Sequence, residues 1–394
     1  MITMQTADNA LKSYYLDAVT DQLNTSANPL LARIKQTTAD VWGRDVRKLV
    51  RFGINGGIGA GTEDGQLPTA GKNNYAQFVS TLKNLYGTIE ITDKAIRASS
   101  NNEGAFVNLL NAEMDGLIRS ASFNFGRMLF GDGTGVIATV TAATGNYATV
   151  DNVSTLAEGM IVDIYYTPAA TESEPNPQEA QIAAGRTITR VDVSTSAVVI
   201  SGAVIANLKN SKIVMQGSYH QEITGLGAIF DRTRSLYGVQ RGTNTWMLPQ
   251  ELTQVGTLTE EKVGLGIDEV EEHTGSKINF IVCSWGVRRA LSEAISKYKT
   301  LEGIMLEGGY RAVSFNGIPV VADRFCPKGK MYLLNTDDFC LHQLCDWQWL
   351  EGDDGRILRQ VPGKPVYTAT LVKYAELICN RPCGQGLLSG ITEK

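Results

Sequence analysis

Apolar positions recur at helical spacing in four stretches of this chain. Leu11, Tyr15, Ala18, Val19 and Leu23 share one face, and the Asn28-Pro29 pair stops that pattern, with a second short helix expected from Leu30. Ser100 and Glu103 form a capping box. Behind it Phe106, Leu110, Met114, Leu117, Ala121, Phe125 and Met128 recur every three or four residues up to Gly131. One helix of about 28 residues, spanning about 42 Å, is predicted there, longer than a globular domain usually needs and suited to a spine. Thr259 to His273 reads as a third helix ending at Gly275. Trp285 to Lys299 reads as a fourth, with Val287, Leu291, Ala294, Ile295 and Tyr298 inward.

Strand patterns fill much of the rest. Lys48 to Phe52 leads into the glycine-rich run Gly53 to Gly61, and Leu85, Gly87, Ile89 and Ile91 alternate with polar neighbours on the expected return. A long polar loop inside a compact domain would argue against such a hairpin unless the loop lies across another subunit. Residues 135–218 turn to short Thr-, Val-, Ala- and Gly-rich runs, among them Met160 to Tyr165 and Ala197 to Ile200, predicting a small all-β unit, a barrel, with Thr167 to Glu179 as an exposed acidic loop. Lys277 to Cys283 is a buried strand. Pro319 lacks a backbone donor, so the Gly317 to Arg324 strand is expected at a sheet edge. The mixture predicts an α+β fold.

Composition narrows what such a fold can do. With 394 residues, 43% hydrophobic and 20% charged, the chain can bury two or three cores. Its net charge of -5 argues against a surface that grips nucleic acid. The 33–51 segment is locally positive on this acidic chain, with six basic residues against Asp40 and Asp45. The N-terminus has neither the basic start nor the apolar core of a secretory signal, and no window reaches the ~18 apolar residues of a membrane span, so a soluble, cytosolic setting with reduced cysteines is expected.

Candidate chemistry is sparse. His220, His273 and His342 each lack a nucleophile in a strand-turn-helix setting, and His273 suits the last turn of its helix. The glycine run closes with no Gly-Lys-Ser/Thr, so it is no phosphate loop. Cys340, His342, Cys345, Cys379 and Cys383 have the wrong spacing for paired zinc turns, and buried apolar Cys is the expected alternative. Glu351-Gly352-Asp353-Asp354-Gly355 lacks calcium-loop spacing and reads as a hairpin turn. No catalytic residue, metal or cofactor is expected.

The most specific words of the sequence are not chemical. Gly317-Ile318-Pro319-Val320-Val321-Ala322-Asp323-Arg324, followed by Gly329-Lys330-Met331-Tyr332-Leu333-Leu334-Asn335, resembles the major capsid proteins of tailed bacteriophages, whose shell fold is named after phage Hong Kong 97. Glu63 to Gly71 resembles the tip of that family's extended loop. Arg127 to Gly135 resembles the end of its spine helix, and Tyr367 to Leu377 its closing strand. The resemblance runs from about residue 8 to the C-terminus in family order, with a gap at about 135–218.

It implies an N-terminal arm (1–50), an extended loop (51–92), a spine helix in a peripheral domain (93–134), an inserted β domain (135–218), an axial domain (219–345) and C-terminal strands (346–394). It implies further that the chain self-assembles through hexamers and pentamers into an icosahedral shell around double-stranded DNA, with arm and loop clamping neighbours. Arg44, Arg47, Gly56, Gly57, Glu63, Pro68 and Lys72 are the candidate contact residues. Lys72 matches the cross-linking lysine of some family members too poorly to carry that role, so no cross-link is expected. A separate scaffolding protein, a portal and a decoration protein on the β insertion are the implied partners, with no membrane, and the virion, assembled in the host cytoplasm, is the implied location. An encapsulin-like shell around a cargo enzyme is the alternative; a metal or nucleotide enzyme on 220–345 is the remote one.

Overall fold

The computed structural model describes residues 28–39, 41, 43–94, 103–168, 178–296, 303–305, 311–352 and 355–394. The expected helix over 11–23, Ser100 of the expected capping pair, the Thr167 to Glu179 loop in most of its length and the Asp353-Asp354 turn lie outside these residues. The chain divides into two compact units, one built from residues 1–123 and 228–394 and the other from 124–227.

In the first unit a seven-stranded mixed sheet runs in the order Gln250–Leu252, Gly386–Leu388, Met331–Leu334, Phe280–Cys283, Ile318–Ala322, Arg311–Phe315 and Gly303–Met305. Two helices, Glu260–Thr274 and Trp285–Ser296, lay Val263, Ile267, Val270, Val287, Leu291 and Ile295 into one core with Ile281, Val320, Met331 and Leu333. The first helix starts where Thr259 Oγ1 accepts from the Lys262 N–H (3.3 Å) and stops at Gly275, whose left-handed φ of 64° lets its N–H reach the Glu271 carbonyl. Ile318–Ala322 is an interior strand, which corrects the edge placement drawn from Pro319. Its parallel ladder with Phe280–Cys283 begins only at Val320, so the missing donor falls beyond the ladder's end.

A second sheet is built on the long strand Val366–Cys379, which pairs with both Phe339–Trp349 and Lys83–Thr92. Lys35–Thr37 adds in parallel to Phe339–Trp349, directly after a single 3-10 turn, Leu31–Arg33, where a short helix was expected. The 28-residue helix Glu103–Phe130 agrees with the apolar spacing. Its Leu117 sits against Gly87, where a Cβ would approach the Leu117 side chain to 2.9 Å, so the strand needs glycine there.

The hairpin differs from the expectation. Asp45–Phe52 pairs with Asn74–Thr81, from Asp45 opposite Thr81 to Phe52 opposite Asn74. The alternating Lys83–Thr92 segment is a strand of the second sheet instead, because its apolar positions Leu85, Ile89 and Ile91 bury there.

The second unit is a closed six-stranded barrel. Its strands, Val136–Thr144, Tyr147–Val150, Ile161–Tyr166, Ala180–Asp192, Ala197–Ile200 and Lys212–Met215, point Val140, Val162, Ile164, Ile188, Val198, Ile200 and Ile213 inward. Asp163, nearly buried, accepts from the Gly185 and Gly217 N–H groups, each at 2.9 Å, and so ties two turns together. Arg127 and Glu222 form a buried bidentate pair in this unit, with Arg127 Nη1 donating to Glu222 Oε2 at 3.0 Å and the second bond running from Nη2 to Oε1.

Candidate assembly surface

The hairpin is a two-stranded ribbon with two unlike faces. Because side chains alternate along a strand, Val46, Lys48, Val50 and Phe52 share one face with Asn74, Ala76, Phe78 and Ser80, while Arg47, Leu49 and Arg51 share the other with Tyr75, Gln77 and Val79. The first face is anchored. Phe52 stacks on Trp246 with centroids 4.5 Å apart and planes 5° from parallel, and Phe78 packs between Trp246 and Tyr237 at 6.2 and 5.4 Å. Tyr237 is locked in turn, donating its hydroxyl to the Leu377 carbonyl and accepting from the Cys379 N–H, both at 3.0 Å. Burial pushes that phenol well above its ordinary value, so it stays a neutral donor.

The second face is bare: Leu49 is 68% exposed, Tyr75 56%, and Arg47, Arg51 and Gln77 are exposed beside them. Beyond the ribbon the loop 53–73 carries Ile54, Ile58 and Leu67 in solvent. Exposed apolar residues gathered on one face of a ribbon make that face a candidate contact surface.

The sequence-derived candidates all fall on this ribbon, its entry or its loop. Arg44, Gly56, Glu63, Pro68 and Lys72 are exposed, Gly57 is half-buried, and Arg47 lies 3.9 Å from Asp45, an exposed pairing that contributes little. The structure brings Gly57 against Gly71: a Cβ on Gly57 would stand 2.7 Å from the Gly71 nitrogen, so the two limbs of the loop touch backbone to backbone. Sequence reasoning missed Leu49, Tyr75 and Val79 on the outer face and the Phe52, Phe78, Tyr237 and Trp246 clamp. The missed strand reads Asn-Tyr-Ala-Gln-Phe-Val-Ser-Thr, with aromatic residues on both faces, and gives no clean alternation.

Among the described residues no cluster of three or more His, Cys, Asp or Glu is placed to hold a metal. All six cysteines are free thiols. Burial pushes Cys283 up to about 12 and raises Cys326, Cys345, Cys379 and Cys383 as well, which disfavours the thiolate that metal binding or nucleophilic attack requires. His342 is wholly buried, opposite Glu376 in the adjacent strand. His273 Nδ1 lies 2.8 Å from the Glu269 carbonyl in the last turn of its helix. No described helix is long and apolar enough to cross a membrane.

No protein-family model matches the sequence, and no curated protein is significantly similar to it. Solved structures are similar in fold. A chain of the cyanophage A-1(L) capsid asymmetric unit superposes with a TM-score of 0.56 at 11% identity, over 93% of this chain and 94% of that one. A Mycobacterium phage Bobi chain aligns at 0.47 and 9% identity over all of both chains, and the capsid of a native GTA particle at 0.47 and 12% identity over 92% and 90%. The α+β architecture is that of phage capsid shells.

Proposed function

We propose that this chain is a major capsid protein, one that assembles with itself through hexamers and pentamers into an icosahedral shell enclosing double-stranded DNA. The observation that carries the reading is the extent of the fold likeness: nearly the whole chain, and not one domain, follows the cyanophage capsid chain at almost equal length. The ribbon supports it from the physical side, since a surface that is anchored on one face and bare on the other is suited to lie across a neighbour. Its work is structural, distributed over many modest contacts that a closed shell satisfies together, which makes assembly steeply cooperative.

The remaining roles follow from that reading. Residues 54–72 are the clamp tip, the long helix the spine, and the barrel an inserted domain and the seat of a decoration protein. The acidic chain, at a net charge of -5, holds DNA by enclosure without sequence-specific contacts. A scaffolding protein and a portal are its expected helpers, and exposed Lys72 forms no covalent bridge.

Negative-stain electron microscopy of the full chain expressed alone, and then with its candidate scaffold, tests this directly. Closed shells or rings of five and six are expected, with nuclease-protected DNA in particles made during infection. Shells filled with one enzyme would replace the genome with cargo, and a persistent monomer with scaffold present would contradict the reading.

A further inference from the structure

Two exposed surfaces of this chain have complementary patterns. On the ribbon's outer face Arg47, Leu49 and Arg51 follow one another at alternate positions, so a cation, a leucine and a cation span about 13 Å. The Asp45 carboxylate is the ribbon's one acid; it accepts from Thr81 Oγ1 at 3.0 Å and lies 3.9 Å from Arg47, an exposed pairing too weak to hold that arginine. Arg51 has no ion pair among the described residues, and Leu49, Tyr75 and Val79 make the strip apolar between the charges.

The helix Glu260–Thr274 presents the converse. Glu261, Leu265, Asp268 and Glu272 follow at offsets of four, three and four, which puts them in one stripe about 16 Å long. All four are exposed, Leu265 by 47%, while Val263, Ile267 and Val270 take the opposite side into the core. Glu261, Asp268 and Glu272 have no ion pair among the described residues. The helix's lysine, Lys262, does not neutralise the stripe, because its ammonium donates to the Val255 and Thr257 carbonyls at 2.5 and 2.9 Å. His273 is held at the last turn. The result is an anion, a leucine and two further anions over a length that matches the ribbon.

We propose that the ribbon's outer face docks on the Glu261, Leu265, Asp268 and Glu272 stripe of a second copy of this chain, Leu49 against Leu265 with the arginines on the flanking carboxylates. This rests on the reading that the chain assembles with itself, and it names the partner surface. Two different faces of one chain make a head-to-tail contact, which closes into a ring when the rotation fits. Charges set the register and the leucine pair excludes water between them. The ribbon does not need the contact to fold, because Phe52 and Phe78 already hold its other face.

Charge reversal in the full-length chain tests the pairing. R47E/R51E and, separately, E261R/D268R are each expected to lower the assembled fraction in sedimentation at least tenfold with an unchanged thermal melt. The four changes together are expected to restore it to within about twofold of wild type. In wild-type background, L49C/L265C is expected to give a ladder of disulfide-linked chains on oxidation of assembled particles. If the wild type assembles while the combined variant stays as poor as either half and the cysteine pair gives no ladder, the docking is wrong and the assembly reading stands. If the wild type does not assemble even with its scaffold present, both fall.

Discussion

The barrel and the ribbon are both made of antiparallel strands, yet they solve the burial of those strands in opposite ways. Six strands close on themselves in the barrel, every ladder finds a neighbour, and the inward Val and Ile side chains are covered by one another. The ribbon has only two strands. One face borrows Tyr237 and Trp246 from elsewhere in its unit, and the other leaves Leu49, Tyr75 and Val79 in solvent. A closed sheet is complete alone, whereas an open one with an apolar outer face is complete only against something else.

The sharpest way to break this contrast is to strike the anchored side of each. Phe78→Ala should cost about 3–5 kcal/mol and release the ribbon, since a ring with no exposed surface is lost from between two others. Urea unfolding with Trp246 fluorescence reads it, and a cost under about 1 kcal/mol would mean the clamp does not hold the hairpin. In the barrel unit, Arg127→Met leaves Glu222 buried without its partner and should cost a comparable 3–5 kcal/mol in the transition assigned to that unit. Replacing both residues by Met should recover most of it.

Proton linkage separates the two units with a smaller effect. Burial pushes Asp323, in the seven-stranded unit, up to about 6. A carboxyl with a raised folded pKa binds its proton more tightly in the native state, so its contribution is most favourable at low pH and weakens as pH rises from about 4 to about 6. Asp323→Asn should therefore raise stability at pH 7 by about 1–3 kcal/mol and do nothing at pH 4. Glu179 in the barrel goes the other way. Burial pushes it up, but the Tyr219 hydroxyl and the Lys212 ammonium outweigh that and hold it below its ordinary value, so its contribution is present at neutral pH and lost on acidification. Denaturant titrations at about pH 3 and 7, on either side of both carboxyls' windows, should show the two units moving apart; parallel shifts would contradict this.

Smallest of all should be Leu49→Ser. On an exposed face it should change the unfolding free energy by less than about 0.5 kcal/mol while reducing assembly, because the residue has no partner to lose until a second chain arrives.

Much of this was legible in the residues, and the failures have physical causes. The 28-residue helix and the strand Ala197–Ile200 follow from apolar spacing, and the helix closed by Gly275 from spacing and its caps, all of which are local signals. Alternation marks Lys83–Thr92 as a half-buried strand but does not name its partner, since it reveals a buried face and not what covers it. The Pro319 strand misled for a related reason: a missing donor excludes a ladder bond at one residue, and the ladder simply starts at the next. The candidate contact residues follow from glycine content, charge and the family resemblance, and they lie on the hairpin, its entry and its loop. The apolar positions that make its outer face cohesive, Leu49, Tyr75 and Val79, become visible only once the register of two strands is known.

The most direct measurement is hydroxyl-radical footprinting of dissociated chains and of assembled particles made from this protein alone, read by mass spectrometry. The account predicts that Leu49 and Tyr75 on the ribbon lose most of their labelling on assembly while Tyr147 and Ile161, exposed on the barrel, keep theirs. Equal labelling of Leu49 and Tyr75 in both states would contradict it.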